Sequence, residues 1–175
     1  MAGEIEKLRN GVIVLCHAEG DDPFNAPIHT NAFAKAAELG GAAGIRTQGS
    51  DNIRAVRAAV RLPIVGMAKG GYDDGWVLVT PDLIDVENII EAGADIVALD
   101  VTNRVRPNGM DGFQFLEVVR RRYTVPLIAD ISTYEEGLRA AELGADIVAT
   151  TLSGYTQYTE DLADDFPDFN LIERL

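Results

Sequence analysis

The sequence predicts a parallel α/β fold, and three observations carry that prediction. Six short apolar runs each end on a residue able to do chemistry: Val12–Leu15 runs into Cys16-His17, Ala43–Ile45 into Arg46, and Pro63–Ala68 into Lys69. Farther on, Asp95–Leu99 leads to Asp100, Val125–Ala129 to Asp130, and Asp146–Ala149 to Thr150-Thr151. Most segments between these runs have the 3.6-residue periodicity of amphipathic helices. The third observation is an internal repeat: Glu91-Ala92-Gly93-Ala94-Asp95-Ile96-Val97-Ala98 returns 51 positions later as Glu142-Leu143-Gly144-Ala145-Asp146-Ile147-Val148-Ala149, with one difference. Each copy reads as a helix end, a glycine stop, a tight turn and a buried strand, with a weaker echo at Glu38–Ala43. Repeated strand, polar residue and helix present a site at the carboxyl ends of the strands, in an open doubly wound sheet or in a barrel.

The elements follow in order. After a short amphipathic start, the first strand covers Gly11 to Leu15, and a Gly/Pro-containing loop, Glu19 to Pro27, follows. Ala32, Phe33, Ala36 and Ala37 at helical spacing predict a helix from Ile28 to Leu39, stopped at Gly40-Gly41. Ser50-Asp51 are cap candidates for a second helix to Val60, with Ile53, Val56 and Val60 on one face. The stretch Tyr72–Thr80 breaks the rhythm: an Asp74-Gly75 turn before β-favouring residues predicts an excursion of the loop after the third strand. Further helices are expected from Pro81-Asp82 to Ala92, Phe113 to Tyr123, Thr133 to Leu143, and from Pro167-Asp168 to the terminus. Unbroken runs such as Ile96–Leu99 expect cover on both faces, which favours parallel pairing.

Composition narrows the function classes. The 175 residues are 47% hydrophobic, enough for one domain (residues 1–175) with a sizeable core. A net charge of -13 argues against non-specific binding to nucleic acid or an anionic membrane. It leaves room for a phosphorylated substrate, since a few cations or backbone N–H groups dominate inside a cleft. A single cysteine, Cys16, excludes an intramolecular disulfide and fits a reducing cytoplasm. Neither a signal peptide nor an apolar run of membrane-spanning length is read, and no GxGxxG fingerprint or P-loop points to dinucleotide or NTP binding. Two histidines and scattered acids give no metal-ligand spacing, so no metal and no cofactor is expected.

Six units leave a choice between an open sheet and a barrel short of its last two units, and the strings at the strand ends resolve it. Gly11-Val12-Ile13-Val14-Leu15-Cys16-His17-Ala18, Ala43-Gly44-Ile45-Arg46 and Pro63-Ile64-Val65-Gly66-Met67-Ala68-Lys69 resemble the N-acetylmannosamine-6-phosphate 2-epimerase family. So do Asp100-Val101-Thr102-Asn103-Arg104-Val105-Arg106-Pro107, Ala129-Asp130-Ile131-Ser132-Thr133 and Thr150-Thr151-Leu152-Ser153-Gly154-Tyr155-Thr156. The resemblance runs from about residue 10 to the end and implies a (β/α)8 TIM barrel of the ribulose-phosphate-binding kind, here with six of eight units. It also implies the reaction, interconversion of the 6-phosphates of N-acetylmannosamine and N-acetylglucosamine in sialic acid breakdown. The family continues into a seventh strand carrying a catalytic glutamate and an eighth whose loops complete the phosphate site.

The residues make sense of that chemistry. Inverting carbon 2 means removing a proton next to a carbonyl and returning one to the opposite face, which needs a base of near-neutral pKa. A lysine serves when burial or a nearby cation lowers its pKa. The resemblance makes Lys69 that base, Arg46 a neighbouring cation and sugar ligand, and Asp130 a ligand for a sugar hydroxyl or an orienting group for Lys69. His17 stands where the family usually has glutamine; it can still hydrogen-bond, and its charge changes near pH 6.5. Gly70-Gly71 after Lys69 replace more polar residues and should loosen that loop. Arg104 and Ser153, in the loops after the fourth and sixth strands, are expected to touch substrate; for Arg104 the family string favours substrate or loop anchoring over a solvated basic pair with Arg106. The plainer readings are a solvated loop lysine at position 69, capping aspartates at 100 and 130, an ordinary turn at Ser153, a buried strand cysteine at 16, a surface His29 and a solvated linker over Glu160–Asp165.

Two function classes follow. One is a cytoplasmic, cofactor-free isomerase acting on a phosphorylated amino sugar. The other is a non-catalytic, incomplete barrel that assembles with a partner or with itself, because strand edges left unpaired invite association.

Overall fold

The computed structural model describes residues 2–73, 76–162 and 167–175. The strand order of the main sheet is β1-β2-β3-β6-β7-β8, and the β1–β2, β2–β3, β3–β6 and β7–β8 pairs run parallel. The chain divides into two compact units, Met1–Ala68 with Asp82–Val97, and Lys69–Pro81 with Ala98–Leu175. Strand β6 (Ile96–Asp100) gives its first two residues to one unit and its last three to the other.

The first unit holds α1 (Ala2–Leu8), β1 (Ile13–Leu15), α2 (Pro27–Leu39), β2 (Gly44–Gln48), α3 (Ser50–Ala59), β3 (Ile64–Met67) and α4 (Leu83–Glu91). Its core is aliphatic: Ile45, Ile53, Val56, Ile64, Val65, Val86, Ile89 and Ile96 are all excluded from solvent. Gly66 sits where α4 and the turn behind it come closest to β3, since an added Cβ would lie 2.5 Å from Ile89 Cγ2 and 2.7 Å from Ala94 Cβ. Glycine is what permits that approach. Strand β1 departs from the expectation of a buried run: Ile13 and Leu15 are exposed, and among the described residues it pairs with β2 alone.

The second unit opens with an antiparallel hairpin, β4 (Lys69–Gly71) and β5 (Val77–Val79), in which Lys69 pairs with Val79. It continues through the end of β6, α5 (Gly112–Arg122), β7 (Leu127–Asp130), α6 (Tyr134–Glu142), β8 (Ile147–Ala149), a 3-10 turn (Glu160–Leu162) and α7 (Phe169–Arg174). Leu99, Val101, Phe113, Phe115, Leu116, Leu127 and Ala129 form its core.

The parallel α/β expectation holds, and so does the meaning of the repeat. Gly93 and Gly144 follow the helix caps at φ of +102° and +93°, the left-handed conformation that glycine adopts without a Cβ penalty. Several boundaries move. The first strand starts at Ile13, not Gly11. Pro81 precedes the cap of α4, because Asp82 takes the capping position and accepts from Asp85 N at 3.0 Å. Thr133 caps α6, and Asp168 caps α7. His29 is half-buried inside α2, edge-on to Phe24 with ring centroids 5.5 Å apart, and so is not a free surface histidine. The excursion after β3 is the β4–β5 hairpin; its expected Asp74-Gly75 turn lies outside the described residues, as do 163–165 of the expected linker.

Candidate active site

Four of the residues expected at the site stand at the carboxyl end of a strand or in the loop that follows it, while Arg46 lies in the middle of its strand and Lys69 begins a hairpin strand. His17 lies just past β1, Arg46 within β2, Lys69 two residues past β3, Arg104 after β6, Asp130 at the end of β7 and Ser153 after β8.

In the first unit, Arg46 is half-buried and its Nη2 reaches Met67 Sδ at 3.4 Å. Residues 46 and 48 fall on one face of β2 by the two-residue alternation of a strand, while Ile45 and Thr47 are buried on the other. Thr47 Oγ1 donates to Cys16 O at 2.7 Å, and Cys16 N donates to Arg46 O at 2.8 Å, which ties the ends of β1 and β2 together. Burial pushes the Cys16 thiol above its usual pKa, the environment of a packed strand residue and not of a nucleophile. His17 is held by Glu19, Nε2 to Oε1 at 2.9 Å. Its Nδ1 and the Gln48 Oε1 are buried without a hydrogen-bond partner among the described residues. These two atoms leave hydrogen-bonding capacity at adjacent strand ends.

The second unit is organised around two buried carboxylates. Asp100, at the end of β6, is fully enclosed. Its Oδ1 accepts Thr102 N at 3.1 Å and Thr102 Oγ1 at 2.8 Å; Oδ2 accepts Arg104 Nη2 at 2.9 Å and Tyr72 Oη at 3.4 Å. The Arg104 guanidinium lies over the Tyr72 ring, 4.5 Å from its centroid. Burial pushes the Asp100 carboxyl up, against the pull of Arg104 and Arg106, and pushes the Arg106 guanidinium down. Burial first, and then the Asp100 charge, holds the Tyr72 phenol well above its usual range. Arg104, expected at the substrate or as a loop anchor, has its place set by these contacts. The side chain is buried and engaged with Asp100, Thr102 and Tyr72, which makes it a loop anchor.

The second carboxylate, Glu136 in the first turn of α6, was missed by sequence reasoning. Its Oε1 accepts Asn103 N at 2.8 Å, Asn103 Nδ2 at 3.0 Å and the Tyr158 hydroxyl. Its Oε2 accepts Ser132 N at 2.9 Å, Ser132 Oγ at 2.7 Å and Thr133 N at 3.1 Å. One carboxylate thus joins the loops after β6, β7 and β8. Burial, and then this bond to Glu136, raises the Tyr158 phenol. The signal in the sequence was Thr133-x-x-Glu136, a capping box, which forms as its pattern requires but says nothing of the three long-range donors.

Asp130 is fully buried at the end of β7 and accepts Thr151 Oγ1 at 2.9 Å. Ser153 is half-buried and donates to Asp168 Oδ2 at 2.9 Å, so its hydroxyl ties the loop after β8 to the cap of α7. Lys69 opens β4, and the burial expected of it is not found. It is exposed, because the chain leaves the parallel sheet after Met67 and enters a hairpin. Among the described residues no group of three or more His, Cys, Asp or Glu is placed to hold a metal ion, and no helix is long and apolar enough to cross a membrane. The chemistry on offer is proton transfer by an amine and hydrogen bonding by cationic, hydroxyl and carboxylate groups.

Comparisons with known proteins bear on this set. Residues 30–175 match the model of the family described as "Putative N-acetylmannosamine-6-phosphate epimerase". A relative from Caldanaerobacter subterraneus subsp. tengcongensis, named "Putative N-acetylmannosamine-6-phosphate 2-epimerase", is 45% identical over 172 residues, covering 98% of this chain and 72% of its own length. A relative of the same name from Clostridioides difficile is 41% identical over 171 residues, covering 98% of this chain and 75% of its length. Among solved structures, the N-acetylmannosamine-6-phosphate 2-epimerase from Clostridium perfringens superposes with a TM-score of 0.89 at 37% identity, over 98% of this chain and 73% of that one. The barrel-family expectation is borne out by that superposition. Mandelate oxidase structures match at TM-scores of 0.53 to 0.55 and at most 18% identity, a likeness of fold alone.

Proposed function

The chain belongs to the N-acetylmannosamine-6-phosphate epimerase family, and from that premise we propose that it interconverts N-acetylmannosamine 6-phosphate and N-acetylglucosamine 6-phosphate, with Lys69 as the base at carbon 2. The observation that carries the assignment is the family match together with Lys69 just past β3, at the strand end where this architecture places reacting groups. In the ring-opened sugar the carbonyl at carbon 1 acidifies the proton on carbon 2. Lys69 takes that proton, and the electron pair moves onto the carbonyl oxygen. Reprotonation of carbon 2 from the opposite face by a second acid, as the electron pair returns from the oxygen, completes the inversion, and the Lys69 ammonium then passes its proton to solvent, which resets both groups. Arg46 and Asp130 bind sugar oxygens in this reading, and His17 and Ser153 make further hydrogen bonds. Within the 175 residues no acid is assigned to the opposite face; the resemblance places that role on a glutamate of a seventh strand. A phosphorylated sugar and a lone buried thiol fit a cytoplasmic enzyme.

The test is exchange at carbon 2 of N-acetylmannosamine 6-phosphate in D2O, followed by NMR, with Lys69→Ala beside the parent chain. Deuterium incorporation that disappears in the variant supports the assignment. Exchange that continues in Lys69→Ala overturns the role of the lysine, and no exchange in a folded parent overturns catalysis by this chain.

A second reading, assembly with a further copy, is favoured by the exposed apolar edge of the first unit, where Val12 is 67% and Leu15 52% exposed. A clean monomer with cooperative unfolding in size-exclusion and denaturation experiments would sink it.

A further inference from the structure

We propose that Arg106 is a positioning residue for Lys69: its guanidinium clamps the base of the β4–β5 hairpin and so fixes the strand on which the lysine stands. The inference rests on the reading of Lys69 as the base.

Lys69 pairs with Val79, and the next two residues, Thr80 and Pro81, end the hairpin. Arg106 Nη1 donates to both of their carbonyls, Thr80 O at 2.9 Å and Pro81 O at 2.9 Å, while Nη2 donates to Asp100 O at the end of β6. The guanidinium plane lies over the Phe115 ring, 4.0 Å from its centroid, and the residue is 1% exposed. One flat group therefore joins the hairpin's exit to a core strand. Its face is stacked on an aromatic ring, and its two terminal nitrogens are directed at carbonyl oxygens. Lysine lacks the plane for both tasks.

The clamp acts on a segment that needs holding. Thr80 has φ of +53°, a left-handed conformation unfavourable for a β-branched residue, and its Oγ1 donates to Ala98 O at 2.6 Å. Such conformations persist where surrounding contacts over-determine them. On the other strand, Gly70 lies against Pro81, where an added Cβ would be 2.6 Å from Pro81 Cγ. The strand carrying Lys69 is Lys-Gly-Gly, and its two glycines bring no side chains to pack. Its position follows that of Val79, Thr80 and Pro81, which Arg106 holds together with the Thr80–Ala98 bond and the burial of Leu78 and Val79. At the far end of β4, Tyr72 is held by Asp100 and Arg104, a second attachment on the same carboxylate-centred cluster.

Misplacing a reacting group by about 1 Å lowers turnover on the order of 10²-fold without loosening substrate binding in proportion. The experiment combines Arg106→Lys, the milder Phe115→Leu, and amide hydrogen exchange on the unliganded full chain. We expect exchange at Gly70, Tyr72 and Leu78, the amides that the hairpin ladder protects, to accelerate in both variants while Ile128 and Ala129 in β7 keep their protection. The rate of carbon 2 exchange should fall on the order of 10²-fold in Arg106→Lys, with KM nearly unchanged. Millimolar guanidinium should restore part of the rate to Arg106→Gly. Unchanged protection of the hairpin amides overturns the clamp, whatever the activity. Loss of protection spread equally over β7 overturns it too, because a merely structural arginine would do that. If the hairpin loosens as expected but Lys69→Ala leaves carbon 2 exchange intact, it is the reading of the lysine that fails.

Discussion

Glu136→Gln changes one oxygen for an NH2 group and no shape, so its effect isolates what the carboxylate does. Gln serves as well as Glu in a capping box, so the local bonds that start α6 survive. The six-donor arrangement does not. With the NH2 in place of Oε2, it would face two backbone donors, Ser132 N and Thr133 N, that have no freedom to turn. With the NH2 in place of Oε1, it faces one, Asn103 N, while the Asn103 amide can flip and the Tyr158 hydroxyl can rotate to accept. The second orientation wins, leaving one backbone N–H opposed and the remaining bonds without charge assistance. An opposed or unsatisfied buried donor costs about 1–3 kcal/mol, and bonds to a charged acceptor exceed neutral ones by about 1 kcal/mol each. With partial relief from water at exposed Asn103, the loss comes to about 2–4 kcal/mol. In urea, at an m-value of about 2 kcal/mol/M, that lowers the midpoint by roughly 1–2 M. Tyr158→Phe, which removes one donor and leaves the carboxylate five, should cost only about 1 kcal/mol. A Glu136→Gln midpoint equal to the parent's at the same m-value, or one no lower than that of Tyr158→Phe, would refute the hub.

Other outcomes follow from the same geometry. The phenols of Tyr72 and Tyr158 are both raised in the fold, so the stability they favour is complete below the ordinary tyrosine value near 10 and is lost as pH rises toward their folded values. Denaturation midpoints should fall above about pH 10, and the Tyr72→Phe, Tyr158→Phe double variant should flatten that slope; an unchanged slope contradicts the burial argument. Gly112→Ala places a Cβ 2.6 Å from Thr102 N and 2.7 Å from Thr102 O, backbone atoms of the Asp100 loop. Overpacking outweighs the gain in helix propensity, and thermal denaturation should report a net loss of about 1–3 kcal/mol. The same change at Gly3, in open space on α1, should be neutral or slightly stabilising, and equal effects at the two sites would undo the steric argument.

What the sequence made legible was local. Helix stops at Gly93 and Gly144, caps at Asp82, Thr133 and Asp168, and buried β3, β6 and β7 each depend on a handful of neighbouring residues and were read within a few positions. The placement of His17, Asp130 and Ser153 at or just past strand ends was legible because periodicity locates strand ends, whereas Arg46 falls in the middle of β2. What a charged side chain does at such ends was not. Arg104 and Arg106 differ from a solvated basic pair only through Asp100, Tyr72, Thr80 and Phe115, of which two are more than twenty residues away. Glu136 announced a capping box and concealed bonds from Asn103 and Tyr158, one 33 positions before it and the other 22 after. Lys69 looked like the end of a parallel strand because its neighbours are apolar, yet Gly70-Gly71 carry no side chains to bury, and the chain turns there into a hairpin.

The repeat shows how local and distant determinants meet. Asp95 Oδ2 accepts Ile64 N, which starts β3, at 2.8 Å, and pairs with Arg57 from the last turn of α3, whose Nε donates to Gly93 O. Asp146 Oδ2 accepts Leu127 N, which starts β7, at 2.8 Å, and pairs with Arg120 in α5, whose Nη2 donates to Gly144 O. The Gly-Ala-Asp string is thus half of a device. Its aspartate closes the start of the neighbouring strand, and an arginine near the carboxyl end of the preceding helix, where a cation is favoured, neutralises the aspartate and caps the glycine's carbonyl. Each copy anchors the amino ends of two adjacent strands. The opposite ends, freed from that task, carry Lys69, Asp100 and Asp130, and there the chain departs from its own repeat: one copy leads into the Asp100–Arg104 cluster and the other into the Thr150–Tyr155 loop. The amino ends of these strands thus share one repeated anchor, while each carboxyl end has its own arrangement of side chains.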